Sequence, residues 1–296
     1  MDEAKKMIKG IFRSQRISSC VFSSDDFKKL YHLLSEKAEE AAQIVLQEWK
    51  EKEKTLSLED RNFFKQRMPD ALRLVAYVTG TKGERVIFTE KSEVSSETIP
   101  ESIETIGIGS AFAYNVVFQA DPSNKFDVRL DFTKPRLLDF SNPWSLPSES
   151  KNYIQVEGNN ETWVNGVYQS IISFFQSMVK RRGWLHARHT YDLFLWLLGV
   201  PVILLTIFRL DGFVRQAMLP LSSVLVVAIY LYVFFMGLFL FRLLFNYARW
   251  LFPRYEYRTK EDTKPAKHRY VLGMFLLAIV TYYVQDLLRY LFKHLF

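Results

Sequence analysis

The chain has 296 residues, of which 49% are hydrophobic and 24% charged, and its formal net charge is +7. Residues 180–296 hold 16 of the 39 Lys and Arg but only 6 of the 32 Asp and Glu, which leaves 23 basic and 26 acidic residues in 1–179. Because the basic excess lies beside the apolar segments, we expect anionic lipid headgroups as partners and no nucleic acid. The single cysteine, Cys20, excludes an internal disulfide.

Residues 1–21 are predicted to be a basic leader, because they contain several basic side chains and no apolar core of signal-peptide length. A cytosolic domain is expected over residues 22–182. It begins with a helix that Ser24 can cap. Asp25 and Asp26 in the first turn interact favourably with the positive end of the helix dipole. The apolar face of this helix repeats every three or four residues and consists of Phe27, Leu30, Leu34, Ala38, Ala41 and Val45.

Strand patterns follow this helix, separated by the turn-forming segments TGTKGE and DPSNK. The clearest one alternates the apolar Phe126, Val128, Leu130 and Phe132 with the polar Asp127, Arg129 and Asp131. The other predicted strands are LRLVAYV (72–78), RVIF (85–88), IETIGIG (103–109), AFAYNVVFQ (111–119) and YIQVEG (153–158).

A second amphipathic helix is predicted over residues 159–180, capped by Asn159 or Asn160. Its apolar face consists of Trp163, Val167, Ile171, Phe174, Phe175 and Met178. The order helix, antiparallel β-meander, helix predicts an α+β domain with both helices on one sheet face.

Two apolar runs predict a transmembrane helical hairpin over residues 183–253. The spans are expected at about 190–210 and 219–241, each long enough for a bilayer. The link between them carries fewer basic residues than the flanks, so the positive-inside rule places both flanks in the cytoplasm. A buried core helix is the alternative for each run. Predicted membrane-interface anchors are Arg181, Arg182, Trp184, Arg188, Tyr191, Tyr247, Arg249 and Trp250.

A charged cytosolic linker is expected over residues 254–269 and a C-terminal helix over 270–296. The apolar stripe of this helix favours an amphipathic helix that lies in the interface or packs on the hairpin or a partner subunit. A third span and a soluble packing helix are the alternatives. Its polar side includes the candidate pore or oligomer contacts Gln285, Asp286 and Arg289.

The sequence contains no Walker loop, dinucleotide fingerprint, G-x-S-x-G elbow, C-x-x-C or H-E-x-x-H motif. We therefore expect no enzymatic activity, no metal and no cofactor. The polar face of the clearest strand and the basic residues after it form a candidate site for a small ligand or anion. The alternative is that this face is simply solvated. The candidate contacts are Asp127, Arg129, Asp131, Lys134 and Arg136.

The order of a cytosolic domain followed by a membrane hairpin is similar to that of small bacterial two-span proteins, several of which are antiphage immune effectors. This resemblance concerns architecture and is carried by no motif. It implies a homo-oligomeric membrane protein whose cytoplasmic domain senses a ligand or a protein partner and whose hairpin perturbs the membrane. One alternative is a membrane-tethered scaffold without a switch. The other is an enzyme, for which Asp127 and Asp131 are the only candidate catalytic residues in the sequence.

Overall fold

The computed structural model of the chain describes residues 10–17, 19–54, 57–95, 98–134, 151–178, 183–187, 189–217, 222–258 and 264–295. Its strands are β1 (Ile11–Arg16), β2 (Cys20–Ser23), β3 (Val75–Gly80), β4 (Arg85–Phe88), β5 (Ile103–Gly109), β6 (Asn124–Asp131), β7 (Tyr153–Gly158) and β8 (Tyr255–Arg258). Its helices are α1 (Ser24–Glu53), α2 (Leu58–Ala71), α3 (Phe112–Phe118), α4 (Glu161–Gln176), α5 (Thr190–Phe194), α6 (Val200–Ala217), α7 (Ser223–Leu251) and α8 (Lys264–Leu295). A π-helical turn, Leu195–Gly199, joins α5 to α6.

Six strands form one antiparallel sheet in the spatial order β1-β7-β6-β5-β3-β4. The alternation predicted for β6 is confirmed, because Phe126, Val128 and Leu130 are buried while Asp127 and Arg129 lie on the opposite face. Helices α1 and α4 pack against each other and against the apolar face, with which they share one core. The domain is therefore mixed α+β, with the helices as the covering layer.

Local capping sets the starts of the two covering helices. The Ser23 side chain accepts a hydrogen bond from the Asp26 amide, and the Asp26 carboxylate accepts one from the Ser23 amide at 2.9 Å. The cap of α1 is thus Ser23 and not the predicted Ser24, because this pair forms a reciprocal capping box. At α4 the predicted alternative Asn160 is the cap, and its Oδ1 accepts from the Trp163 amide at 3.0 Å.

The strand predicted for residues 111–119 is wrong, because this segment forms helix α3. Helical spacing places Tyr114 and Phe118 on one side, with their ring centroids 4.7 Å apart, and Phe118 stacks on Phe64 of α2 at 4.9 Å. Helix α2 was not predicted, since Met68 and Ala71 are its only buried residues and leave almost no apolar stripe. Tertiary packing, not periodicity, fixes both elements.

The segments predicted as a basic leader (1–21) and a charged cytosolic linker (254–269) both contribute strands to the fold. Strand β1 pairs antiparallel with β7 at the edge of the sheet. Strand β2 pairs in parallel with β8, with Cys20 opposite Tyr255. Two segments that look polar or basic in isolation therefore complete the fold by pairing with partners far along the chain.

The continuous segment of α5, the π-helical turn and α6 packs antiparallel to α7, and the two form a helical pair. Gly199 lies against the ring of Phe241, and Gly237 lies against the side chain of Ile203. At the distal end the Tyr230 hydroxyl donates to Asp211 at 2.5 Å. Small residues thus let the two helices approach closely at two levels.

Two helical segments, Thr190–Gln216 and Ser223–Leu251, are long and apolar enough to cross a bilayer. Each ends later than its predicted span, because the first continues to Gln216 and not only to residue 210, and the second continues to Leu251 and not only to residue 241. Helix α8 begins at Lys264, ahead of the predicted start at residue 270. Its first turns are fastened to α7, where Arg269 Nε donates to the Leu251 carbonyl at 3.1 Å.

Candidate functional site

The open face of the sheet carries part of the predicted ligand site. The Tyr153 hydroxyl donates to Asp127 Oδ2 at 2.8 Å, and the register places Tyr153 directly beside Arg129. Burial raises the pKa of Asp127, and the bond from Tyr153 and the charge of Arg129 oppose that rise. Burial also raises the pKa of Tyr153, and its hydrogen bond to Asp127 adds to the effect. On this face the Arg129 cation therefore lies beside the Asp127 carboxyl group, which Tyr153 holds by a hydrogen bond.

The remaining predicted ligand contacts lie elsewhere. Asp131 accepts from the Thr133 amide at 2.9 Å, so one of its oxygens fastens the end of β6. Four strand residues separate Asp127 from Asp131 by about 13 Å, which is too far for both carboxyls to act on one bond. Lys134 lies against the Trp250 ring, outside the sheet face. Arg136 lies outside the described residues.

An aromatic cleft that was not predicted lies between the C-terminal half of α1, helix α2 and helix α3. Its volume is about 510 Å³, within the range of small-molecule sites. The ring centroids of Trp49 and Phe64 are 3.8 Å apart, and Phe63 meets Phe118 edge-on at 6.3 Å. Lys52 lies at the rim. The signal in the sequence is the Phe63–Phe64 pair in an otherwise polar segment.

A junction joins the α+β domain to the apolar helices. His186, in the 3₁₀ turn before α5, donates from Nε2 to the Phe252 carbonyl after α7 at 2.8 Å. Arg249 Nε donates to the Leu185 carbonyl at 3.1 Å. Burial lowers the pKa of His186, the bond to Phe252 opposes this, and the charges of Arg249 and Arg254 add to the lowering. The segment that leads into α5 is thus hydrogen-bonded to the end of α7, where the chain leaves the helical pair.

Strand β8 ties this junction to the start of α8. Arg269 Nη2 donates to Glu256 Oε1 at 2.7 Å, and Arg258 lies 3.6 Å from the same carboxylate. On the domain side, Phe132 meets Tyr257 edge-on at 5.8 Å, and the Phe22 ring lies 5.9 Å from that of Phe132 at an interplanar angle of 31°. The hairpin, α8 and the domain core therefore meet around one short parallel strand pair.

The predicted interface anchors divide into several groups. Trp184 is exposed, while Tyr191 and Arg249 are buried in contacts within the chain and so do not present themselves to headgroups. Tyr247 and Trp250 are partly exposed at the end of α7. Arg181, Arg182 and Arg188 lie outside the described residues. Of the predicted contacts on α8, Gln285 and Arg289 are exposed, and the side chain of Asp286 lies outside the described part.

Within the described residues, no group of three or more His, Cys, Asp or Glu side chains is placed to hold a metal ion. Comparison of the chain with known family models, characterised proteins and solved structures finds no match. The geometry of the chain itself is therefore the basis for its proposed function.

Proposed function

We propose that this protein is an integral membrane protein in which α5 to α7 form a two-span hairpin and the α+β domain controls that hairpin from the cytoplasm. The exposed apolar surface of the two long helices carries the proposal. Trp196, Phe208 and Phe235 are 70%, 75% and 64% exposed, and the most apolar windows of the two segments are only 11% and 0% buried within the chain. A core helix of a soluble protein buries this surface, whereas hydrocarbon covers it at no cost to hydration.

The distances along the helices support a bilayer of ordinary thickness. Twenty residues separate Tyr191 from Asp211, which at the helical rise is about 30 Å, the thickness of the hydrocarbon core. At the distal end Asp211 accepts from Arg215 at 2.9 Å, so polar groups cluster where the apolar stretch ends. The basic residues around the proximal end favour a cytoplasmic location for the domain and for the start of α8.

The junction supports control of the hairpin by the domain. Strand β2, which pairs with β8 after the hairpin, runs directly into α1. The far end of α1 lines the aromatic cleft through Trp49. If a ligand in the cleft displaces α1, the displacement can reach the ends of the hairpin through α1, β2 and β8, which follow or contact one another. Such a path is an opportunity for coupling, which requires two states of different ligand affinity.

Helix α8 supports the further proposal of an interfacial or oligomeric role. Tyr270, Met274, Leu277, Tyr282 and Phe292 are exposed along it. We propose that Tyr270, Met274 and Leu277, which share one side of the helix, lie in the membrane interface or pack on α8 of a second copy, with the exposed Gln285 and Arg289 further along α8.

A scaffold without a switch is the second candidate function. The exposed Leu58, Phe112 and Val116 favour it, because with Phe63 they are apolar side chains left exposed on two helices, α2 and α3, that pack together, and a soluble protein can cover them. In that case the hairpin serves as an anchor only.

A matched pair of charge insertions tests membrane integration. Leu240 in α7 and Leu58 in α2 are both exposed. We expect Leu240→Arg to reduce integration, because an arginine near the bilayer centre costs about 3 kcal/mol, and Leu58→Arg to leave it unchanged. The measurement is the fraction of the full chain that remains with membranes after carbonate extraction. Wild-type protein in the supernatant, or equal behaviour of the two variants, contradicts a membrane span.

Vesicle leakage separates the two candidate functions. The full chain is reconstituted into vesicles of phosphatidylglycerol and phosphatidylcholine that contain a self-quenched dye. Leakage that rises on addition of a cytosolic extract fraction, in wild type but not in Trp49→Ala, supports a switch that acts through the cleft. Absence of leakage in every fraction, together with a partner that Phe112→Asp no longer binds, supports the scaffold.

A further inference from the structure

Side chains from the loop after β6, from α7 and from α8 meet around Trp250, in the last turn of α7. Lys134, from the loop after β6, places Nζ 5.2 Å from the centre of the Trp250 ring. Tyr247 stacks against the same ring at 6.0 Å with an interplanar angle of 17°. His268, on α8, meets that ring edge-on at 6.3 Å, and its Nδ1 lies 3.2 Å from the Tyr247 hydroxyl. A cation, an imidazole and two interfacial aromatic side chains therefore form one cluster.

This cluster has no carboxylate partner within the described part of the chain. Lys134 interacts there with an aromatic face and His268 with Tyr247 and Trp250, and neither forms a salt bridge with a described residue. The acidic side chain on neighbouring β8, Glu256, is already engaged by Arg269 at 2.7 Å. Among the described residues, the exposed Lys134 ammonium is therefore not paired with a carboxylate.

His268 supplies the second polar group of the cluster. Its Nδ1 and the Tyr247 hydroxyl are hydrogen-bonded and either can donate; in the tautomer in which the hydroxyl donates, Nε2 carries the ring proton. Trp250 holds the Lys134 ammonium by a cation–π contact that leaves its N–H groups free to donate. Lys134 and, in that tautomer, His268 each carry an N–H donor, and both side chains contact the Trp250 ring.

The place of the cluster along the hairpin selects the class of ligand. Trp250 lies just beyond the buried contact of Tyr191 with Phe245, where the proximal end of the proposed span lies. Tryptophan and tyrosine concentrate at this depth, which is also the depth of lipid phosphates. A free phosphate shares the chemistry, but it does not share the position beside hydrocarbon.

We propose that Lys134 and His268, positioned by Trp250 and Tyr247, bind the phosphate of an anionic phospholipid headgroup. The site rests on the proposed function, since it requires the hairpin to lie in a bilayer. One headgroup then joins the domain, the end of α7 and the start of α8. Anionic lipid thereby sets the position of the domain relative to the hairpin.

The test uses the full chain in detergent and counts bound phosphatidylglycerol and phosphatidylcholine by native mass spectrometry. Lys134→Gln and His268→Ala are compared with Lys82→Gln, which makes the same charge change in the exposed β3–β4 turn. We expect Lys134→Gln to lower phosphatidylglycerol retention about fivefold, as for loss of one cation near an anionic surface. His268→Ala is expected to lower retention in the same direction, and Lys82→Gln to leave it unchanged.

Other outcomes overturn the site. Retention that is equal in wild type and both site variants, or that falls equally in Lys82→Gln, overturns it. Competition by millimolar inorganic phosphate as strong as that by phosphatidylglycerol assigns the cluster to a soluble anion and overturns the lipid assignment. Circular dichroism of each variant separates lost binding from lost folding, and the conservative Lys134→Arg restores retention if charge is the cause.

Failure of the proposed function has a different signature. If the hairpin does not span a membrane, wild-type protein leaves the membrane fraction on carbonate extraction. If only the headgroup site is wrong, extraction is unaffected while phosphatidylglycerol and phosphatidylcholine are retained alike.

Discussion

The Tyr255 hydroxyl donates a 2.6 Å hydrogen bond to the carbonyl oxygen of Ile17. Both residues are buried, and each flanks or belongs to one strand of the parallel β2–β8 pair. The bond therefore joins the chain that leaves the apolar hairpin to the chain that leads into α1.

Removal of this hydroxyl is expected to weaken the junction. Tyr255→Phe leaves the buried Ile17 carbonyl without that donor, at a cost of about 1 kcal/mol and a fall in Tm of roughly 3 °C. Thermal unfolding of the full chain in detergent, followed by circular dichroism, measures the change. Tyr232→Phe makes the same change at an exposed position of α7, and an equal Tm for the two variants contradicts a structural role for the bond.

Phe22 is the aromatic centre of the domain core next to the junction. It is fully buried and lies 5.9 Å from Phe132 and 6.4 Å from Phe175, measured between ring centroids. We expect Phe22→Ala to lower the free energy of unfolding by about 4 kcal/mol, through lost burial and a cavity. Phe12→Ala, on the exposed side of edge strand β1, is expected to cost far less. Urea unfolding of both variants provides the comparison, and similar midpoints refute this account of the core.

The ion pair of Glu256 and Arg269 is partly buried, whereas that of Glu39 and Lys91 is exposed. Glu256→Gln leaves the Arg269 charge poorly compensated, so we expect a loss of about 3 kcal/mol. Glu39→Gln is expected to cost less than about 1 kcal/mol, because water screens that pair. Chemical unfolding monitored by tryptophan fluorescence measures both. A larger loss for Glu39→Gln is incompatible with a structural role for the β8–α8 contact.

Asp127 predicts a pH dependence of stability. Its pKa in the folded state is raised above the ordinary value of 3.8 by burial, so folding favours the protonated form. The contribution of this group to stability is fully present below 3.8 and is lost as the pH rises through its raised pKa. We therefore expect Asp127→Asn to gain stability relative to wild type as the pH rises from acidic to neutral, while its amide oxygen still accepts from Tyr153.

Thermal unfolding of both proteins across that pH range checks the sign. Asp70→Asn, at an exposed position beside Arg73, serves as the control and is not expected to reproduce the trend. A Tm difference between Asp127→Asn and wild type that shrinks with rising pH would refute the effect of burial.

Close approach at Gly237 predicts sensitivity of the hairpin to side-chain size. A Cβ at this position meets the Ile203 side chain at 2.8 Å, whereas one at Gly212 meets no atom within 4 Å. We expect Gly237→Val to destabilise the helical pair by about 2 kcal/mol through overpacking. The matched change, Gly212→Val, is expected to leave the packing intact. Thermal unfolding of the two variants in detergent measures the difference, and equal Tm values would contradict the packing.

Patterns that depend on nearest neighbours along the chain were predictable. The apolar faces of α1 and α4 and the alternation of Phe126, Val128 and Leu130 correspond to the buried residues of the domain. Each residue's side there follows from a fixed helical or strand period. The two long apolar helices follow from the absence of charge over a bilayer's length.

The candidate sites were only partly predictable. Asp127 and Arg129 lie together on the open sheet face, because a strand period of two places them there. The separation of Lys134 from them, and its contact with Trp250, depend on where α7 ends in space. The aromatic cleft depends on the packing of α3 against α2, and the apolar spacing of residues 112–118 suits a strand as well as a helix.

The sequence by itself determined the mixed α+β class and the core-facing residues, because the period of an apolar face is a local property of the chain. It also determined the two apolar helices, because an uncharged apolar run of bilayer length is local too. Only the tertiary structure decided that β1 closes the sheet edge, that β2 pairs with β8, and that Lys134, Trp250 and His268 meet. Backbone hydrogen bonds between strands do not depend on residue type, so the sequence does not show which strands pair. Contacts between residues that are hundreds of positions apart form only after the helices between them have packed.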